Sequence, residues 1–234
     1  MNDLDATTAG YEELASPTAN EGKGWEPIGG SLPPGLSRSF AGSFDGQGYE
    51  IGDLFINRPG EIQVGLFYVP SLGGLVENVG LVNVAVTGGR YVGALVGRSY
   101  GTVNNSYSAS GVTGKWWVGG LVGYNMGIVD NSYSTGSVTG ELAVGGLAGA
   151  GESRATVSNS FWDTQTSGQV TSDGGTGKAT AEMQAIVTLA DMETEGLDAP
   201  WDMVALAPGE ANPAYTWNIV DGQTYPFLSW QSIV

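Results

Sequence analysis

The sequence predicts an all-β fold, a single-stranded right-handed parallel β-helix with coils of about 26 residues, and three observations predict it. Residues 92–114, VGALVGRSYGTVNNSYSASGVTG, return at 118–140 as VGGLVGYNMGIVDNSYSTGSVTG, and a third copy opens at 144 with VGGLAG. The apolar stretches inside each copy are short, rich in Val, Tyr and Thr, and punctuated by Gly, Asn and Ser, which is the chemistry of strands and turns. A unit this short has no room for a pair of helices and cannot bury an apolar face alone, so successive units must stack as a solenoid. Right-handedness is the expectation for parallel strands joined by crossovers.

Taken in chain order, residues 1–63 form a lead-in and capping segment with the first coil, 64–163 the repeat coils, and 164–234 a second capping segment, all within one structural domain. In the lead-in, Asp45-Gly46 and Gln47-Gly48 form a tight turn between short strands, and Ile51, Leu54 and Ile56 supply apolar residues to the first coil. The repeats then align as columns. Val64, Val92, Val118 and Val144 open the units, Val76, Val103, Val129 and Val157 form a second column, and Val86, Val112 and Val138 a third.

Equivalent strands one coil apart lie about 4.8 Å from each other, so like side chains stack on like and the Val columns fill the interior. Asn78, Asn105, Asn131 and Asn159 form a structural ladder, each amide donating to its equivalent on one side and accepting from the other. Tyr107, Tyr133 and Phe161 form an aromatic column, read as inward or edge-packed from strand parity. Gly119-Gly120 and Gly145-Gly146 mark a tight corner, where a side chain would clash or φ must be positive. In the last segment Thr180 is expected to cap a short helix with Met183, Ile186, Val187 and Ala190 on one face, and residues 215–230 to form a final strand pair.

Composition narrows the chemistry. The 234 residues include 39 Gly, no Cys and no His, which removes disulfides, thiol nucleophiles, His-based triads and ordinary zinc sites. Eight basic against 24 acidic residues leave a formal charge of −16, which opposes nucleic acid and anionic lipid over a Debye length of about 8 Å. No window is long and apolar enough for a membrane span, and the opening MNDLDATTAG lacks the basic and apolar regions of a secretory signal.

The unit VGGLVG followed by GTVxNSYSxGxVTG resembles the GLUG-motif repeat, found in bacterial and archaeal surface and secreted proteins, including filamentous-haemagglutinin-like adhesins and the non-catalytic regions of IgA-specific peptidases. The likeness covers residues 64–163. WEPIGG and FAGSFDGQGYEIGDLFIN before it, and NSFWDTQTSG through TWNIVDGQTYPFLSW after it, resemble the segments that commonly flank such repeats. The resemblance implies an extracellular or cell-surface module within a larger secreted protein. It transfers no catalytic residue.

The expected function is therefore a non-catalytic β-helix module for adhesion or surface assembly, with a cell-surface glycan, a protein or a second copy of itself as partner, and with no nucleic acid and no membrane insertion. Residues that vary between copies gather just before the VGG corner: Arg90 and Tyr91, then Lys115, Trp116 and Trp117, then Glu141 and Leu142. Tyr91, Trp116 and Trp117 are the candidate ligand-binding residues, because exposed rings stack on sugar faces and partner surfaces. Alternation sends one of the two Trp side chains outward.

Three alternatives stand beside this reading. Parallel β-helices also serve polysaccharide lyases and hydrolases, which need clustered carboxylates; Asp130 and Glu77 lie two coils apart in one column, with Asp45, Asp53, Glu141 and Asp163 as further acids. An ice-binding surface would need more than the one Thr column of Thr87, Thr113 and Thr139. No cofactor and no metal site is expected; calcium in the Asp-rich turns is the weaker alternative, since no loop has the ligand density of a calcium motif.

Overall fold

The structure, a computed structural model, describes residues 3–29, 40–68, 71–229 and 231. Its strands assemble into long parallel sheets that run along one axis, with consecutive members of each sheet drawn from consecutive coils. One sheet joins Ser43–Asp45, Leu75–Glu77, Thr102–Asn104, Ile128–Asp130 and Thr156–Ser158, so it counts five passes of the chain. A second joins Val96–Ser99, Val122–Asn125 and Ala148–Gly151, and a third, of ten strands, carries the remaining walls of the coils.

The register is the one the repeat predicts. Val64 pairs with Val92, Val92 with Val118, and Val118 with Val144. Val76, Val103, Val129 and Val157 pair in series, as do Val86, Val112 and Val138. Between the strands a column of Leu66, Leu95, Leu121 and Leu147, the Leu of each VGGLVG corner, is fully buried beside the Val columns. These interior columns are thus filled by the same residue type in coil after coil, and each methylene removed from water there contributes about 0.8 kcal/mol.

The glycine pair at the corner is required by space. Gly119, Gly120, Gly145 and Gly146 all have negative φ. A Cβ on Gly120 would lie 2.0 Å from Ser134 Oγ and one on Gly146 1.9 Å from Trp162 Cδ1. These glycines let the wall carrying Ser134 and Trp162 close against the corner, so the positive-φ half of the expectation is corrected.

Left-handed residues turn the chain at two other columns. Asn78, Asn105, Asn131 and Asn159 have φ between 44 and 55°, the conformation that Asn tolerates best after Gly. A residue of this kind breaks the in-out alternation of the strand that follows. Consequently Ser108, Ser134 and Trp162 face the interior, whereas Tyr107, Tyr133 and Phe161 face outward into a second apolar cluster.

That second cluster is built by the C-terminal segment, which packs along the side of the β-helix. Tyr107 and Tyr133 stack 5.0 Å apart at 2°, and Trp201, Trp217, Met183, Leu189 and Ile219 close over them. The segment contains two short helices, Thr180–Met183 and Ile186–Ala190, and the antiparallel pair Trp217–Ile219 with Phe227–Leu228. Thr180 is the first helical residue and Ala179 the cap; Glu182 reaches back to the Ala179 N–H at 2.8 Å. At the other end, Leu4, Trp25 and Ile28 hydrogen-bond or bridge to the first coil, covering part of its interior.

Asp163 pins the C-terminal segment to the last coil. It is fully buried, and Thr180 Oγ1 and Tyr225 Oη each donate to Oδ2 at 2.6 Å while the Gln165 and Thr166 N–H groups donate to Oδ1. Burial opposes ionisation, but these donors outweigh it and hold the carboxyl below its usual 3.8; the same contact pushes Tyr225 up to about 12, burial being the larger cause. Asp163→Ala is expected to lower the unfolding free energy by about 3 kcal/mol in urea melts, because it strands buried donors. A depressed carboxyl stabilises the fold above its ordinary value, and that contribution is lost as pH falls through the folded pKa. Asp163→Asn should therefore flatten the acid limb of stability against pH, and an unchanged limb would remove Asp163 from this role. Glu50, raised above 4.5 by burial against the opposing Tyr107 hydrogen bond, acts with the reverse sign: its contribution is lost as pH rises.

Candidate functional site

The variable segment before each VGG corner lies in the ten-stranded sheet, where Ile62, Arg90, Trp116 and Leu142 pair in series across four coils. These side chains form a ridge parallel to the axis, with Ile62 48%, Trp116 39% and Leu142 60% exposed. The next residue in each coil, Gln63, Tyr91, Trp117 and Ala143, has φ between 53 and 61°. The left-handed residue again breaks alternation, so Trp116 and Trp117 both lie outside the interior cluster and Val118 alone turns in. The expectation that only one Trp points outward is corrected for that reason.

Tyr91, Trp116 and Trp117 are brought together. Tyr91 and Trp117 stack at 4.8 Å and 11°, one coil apart, and Tyr124 meets Tyr91 edge-on at 5.3 Å and Trp117 at 6.2 Å. The Arg90 guanidinium lies 4.9 Å from the Trp117 ring, 5.2 Å from Trp116 and 5.4 Å from Tyr91. Arg98 sits over Tyr100 at 4.8 Å, Tyr91 at 5.5 Å and Tyr124 at 5.7 Å. Each such contact contributes about 0.5–1 kcal/mol at a surface and fixes the planar guanidinium in place.

Sequence reasoning missed Arg98, Tyr100 and Tyr124. The signal was available: Arg98 and Tyr124 pair across adjacent coils, the same kind of variable position that singled out Tyr91 and the tryptophans. Tyr124 donates from Oη to Glu152 Oε1 at 3.1 Å; burial first, and then this bond, raise its pKa.

The Asn column divides in two. Asn105 Nδ2 donates to Asn78 Oδ1 at 3.2 Å, and Asn78 Nδ2 to Asp45 Oδ1 at 3.0 Å. Asn131 and Asn159 instead donate to Asp130, at 3.3 and 3.0 Å, and Asn159 Oδ1 accepts from the Asp198 and Ala199 N–H groups. Four of the six acids read as catalytic alternatives have structural partners: Asp163 accepts from Thr180 Oγ1, Asp130 also from Ser158 Oγ, Asp45 from the Gln47 N–H and Asp53 from Asn83 Nδ2; Glu77 and Glu141 make no side-chain hydrogen bond among the described residues. Among the described residues no group of three or more His, Cys, Asp or Glu could hold a metal ion, and no helix is long and apolar enough to cross a membrane.

Residues 118–139 match the family described as the GLUG motif. Halomucin of Haloquadratum walsbyi is 44% identical over 86 residues, 37% of this chain and 1% of that protein. The "Putative Gly-rich membrane protein" of Evansella cellulosilytica is 41% identical over 87 residues, 36% of this chain and 10% of that protein. The chain spans at most about a tenth of the curated relatives it matches. A crystal structure of a "putative immunoglobulin A1 protease" from Bacteroides ovatus superposes with a TM-score of 0.44 at 19% identity, over 69% of this chain and 58% of that one.

A bulky residue in the left-handed region stores about 1 kcal/mol of strain. At Trp117 the ring contacts return about 0.5–1.5 kcal/mol. Trp117→Asn is therefore expected to change stability by less than about 1 kcal/mol, whereas Tyr133→Ala, which empties the buried second cluster, should cost about 3 kcal/mol or more. Urea melts of both variants check this, and an equal loss in the two would make Trp117 part of the frame. With the repeat register and the matched residues agreeing, residues 118–139 of this chain carry the GLUG motif within the coils of a parallel β-solenoid.

Proposed function

We propose that this chain is a non-catalytic module of an extracellular or surface protein, whose solenoid presents the Tyr91–Trp116–Trp117 face for adhesion to cell-surface glycans. The observation that carries the reading is the convergence of Tyr91, Trp116, Trp117 and Tyr124 with Arg90 and Arg98 on one accessible face. The other aromatic column of the coils, Tyr107, Tyr133 and Phe161, is buried beneath the C-terminal segment. Aromatic platforms of this kind receive the apolar faces of sugar rings. The likeness to halomucin and to a Gly-rich membrane protein supports a surface setting. Against an enzyme stand Asp130, Asp45 and Asp163, whose carboxylates are engaged by turns and by the flanking segments.

The chain with Trp116→Ala and Trp117→Ala together is expected to retain its β circular dichroism and melting behaviour and to lose at least about tenfold in glycan-array binding, the loss of one to two ring contacts. Undiminished binding by the double variant would move the site elsewhere. Turnover of a pectin-like polysaccharide by the purified chain, abolished by Asp130→Asn, would replace this reading with an enzyme.

A further inference from the structure

We infer that the ligand of the Tyr91–Trp116–Trp117 face is an acidic saccharide, a sugar bearing an isolated carboxylate or sulfate that Arg90 and Arg98 receive while the rings hold the sugar's apolar face. This deepens the glycan reading and rests on it. The starting point is the distribution of charge. The chain has 24 carboxylates and only eight cationic side chains. With acids three times as abundant, a guanidinium has ample opportunity for an internal partner. Arg58 takes one: buried, it pairs with Glu61 at 3.1 Å and donates to the Trp25 carbonyl, and this is the one ion pair among the described residues.

Arg90 and Arg98 are placed differently. They sit on the same face, joined through Tyr91, whose ring lies 5.4 Å from one guanidinium and 5.5 Å from the other. Arg90 Nε is buried without an acceptor, and Arg98 donates from Nε and Nη2 to Met126 Sδ, at 3.3 and 3.0 Å, a weak thioether acceptor. Glu152, a carboxylate of this neighbourhood, accepts from Tyr124 and forms no ion pair with either arginine. Lys115, exposed and directly preceding Trp116, adds a third positive charge at the rim.

Two guanidinia held within 4.8–5.7 Å of ring centroids, neither in an ion pair with a carboxylate, form a site suited to an oxyanion. Arginine is weakly hydrated and planar, so its N–H edges serve a carboxylate or sulfate in the two-bond mode while its face stays on the aromatic ring. A neutral sugar would use the rings and leave the positive charge unanswered. A densely charged polyanion is disfavoured by the −16 of the whole chain, which acts over about 8 Å, whereas one or a few anionic groups feel chiefly the local guanidinia. An acidic sugar satisfies both halves of the face.

The test titrates the full chain, followed by calorimetry, with four defined probes: a trigalacturonate, the matching neutral galactose trisaccharide, a 6-sulfated galactose trisaccharide, and a short oligothymidylate. At least one of the two acidic saccharides should bind about tenfold or more tightly than the neutral one, the equivalent of one charge-assisted hydrogen bond, and its strength relative to the other identifies the anionic group. Arg90→Gln with Arg98→Gln should abolish that preference, so that acidic and neutral saccharides bind the variant equally; Arg90→Lys with Arg98→Lys, which keeps charge and loses the planar edge, should retain only part of it. The comparison among probes needs no variant, so a misfolded mutant does not rescue the inference. Equal binding of acidic and neutral saccharides overturns the acidic ligand and leaves the glycan face standing. Tighter binding of the oligothymidylate overturns it in favour of a nucleic-acid surface. Failure of all three saccharides, with a blank glycan array, removes the glycan reading itself.

Discussion

Every part of this molecule depends on one constraint: parallel in-register stacking places each side chain directly against its own equivalent one coil later, about 4.8 Å away. A residue is therefore tolerated at a column only if it can pack against itself. Val and Leu satisfy that in the interior, where Val92, Val118 and Val144 and the Leu66–Leu147 series repeat almost without change. Glycine satisfies it at the corner, where the opposing wall comes within contact distance of where a Cβ would stand. Aromatic rings satisfy it by stacking, as Tyr107 on Tyr133 and Tyr91 on Trp117 both do. Like charges do not, and the two arginines of the exposed face accordingly rest on aromatic neighbours.

The same constraint explains what was legible in the sequence. Register, strand columns and the parallel sheets could be read because repetition in sequence is repetition in space, and Val103 needs no more than its spacing from Val129 to find its place. Facing directions were harder. The left-handed conformation of Asn105 and Asn131 shifts the phase of the strand that follows, so parity counted from Val103 sends Tyr107 to the wrong side. The same shift at Tyr91 and Trp117 places adjacent residues together on the surface, which simple alternation does not foresee. The Asn column was read as one uniform ladder, yet at Asp130 the equivalent residue is Asn104, and a charged acceptor draws Asn131 and Asn159 away from their own kind.

The C-terminal segment was legible as a closing element in composition and in its final strand pair, and illegible in where it goes. Nothing in the spacing of Trp201 and Trp217 says that they cover a side wall. That follows from the outward turn of Tyr107, Tyr133 and Phe161, which leaves an apolar stripe that water would otherwise meet. Covering it needs polar closure as well as rings, and the chain supplies this with Asp163, with Asn159 Oδ1 under the 198–199 turn, and with the Tyr133 hydroxyl donating to the Pro226 carbonyl. The Tyr107 and Tyr133 hydroxyls are pushed well above their ordinary range, burial leading, so they remain protonated donors at neutral pH.

Two aromatic stripes thus run along the solenoid, and they differ in one respect that bears on function. The Tyr107–Tyr133–Phe161 stripe lies under a dedicated segment of the chain, with its polar atoms bonded and its rings removed from water. The Tyr91–Trp117 stripe has no such segment, retains a 39% exposed Trp116 at its edge, and carries two guanidinia whose protein partners are rings and a thioether. A chain able to close one stripe so thoroughly has the means to close the other. The −16 charge makes the contrast sharper, because acidic side chains are plentiful and none forms an ion pair with Arg90 or Arg98. Packing accounts for the first stripe; in the second, ring contacts offset the cost of the left-handed backbone at Trp117, and what is left without a partner in the chain is the exposed part of Trp116 and the charge of Arg90 and Arg98, a complement, apolar on one side and anionic on the other, that a bound molecule would supply.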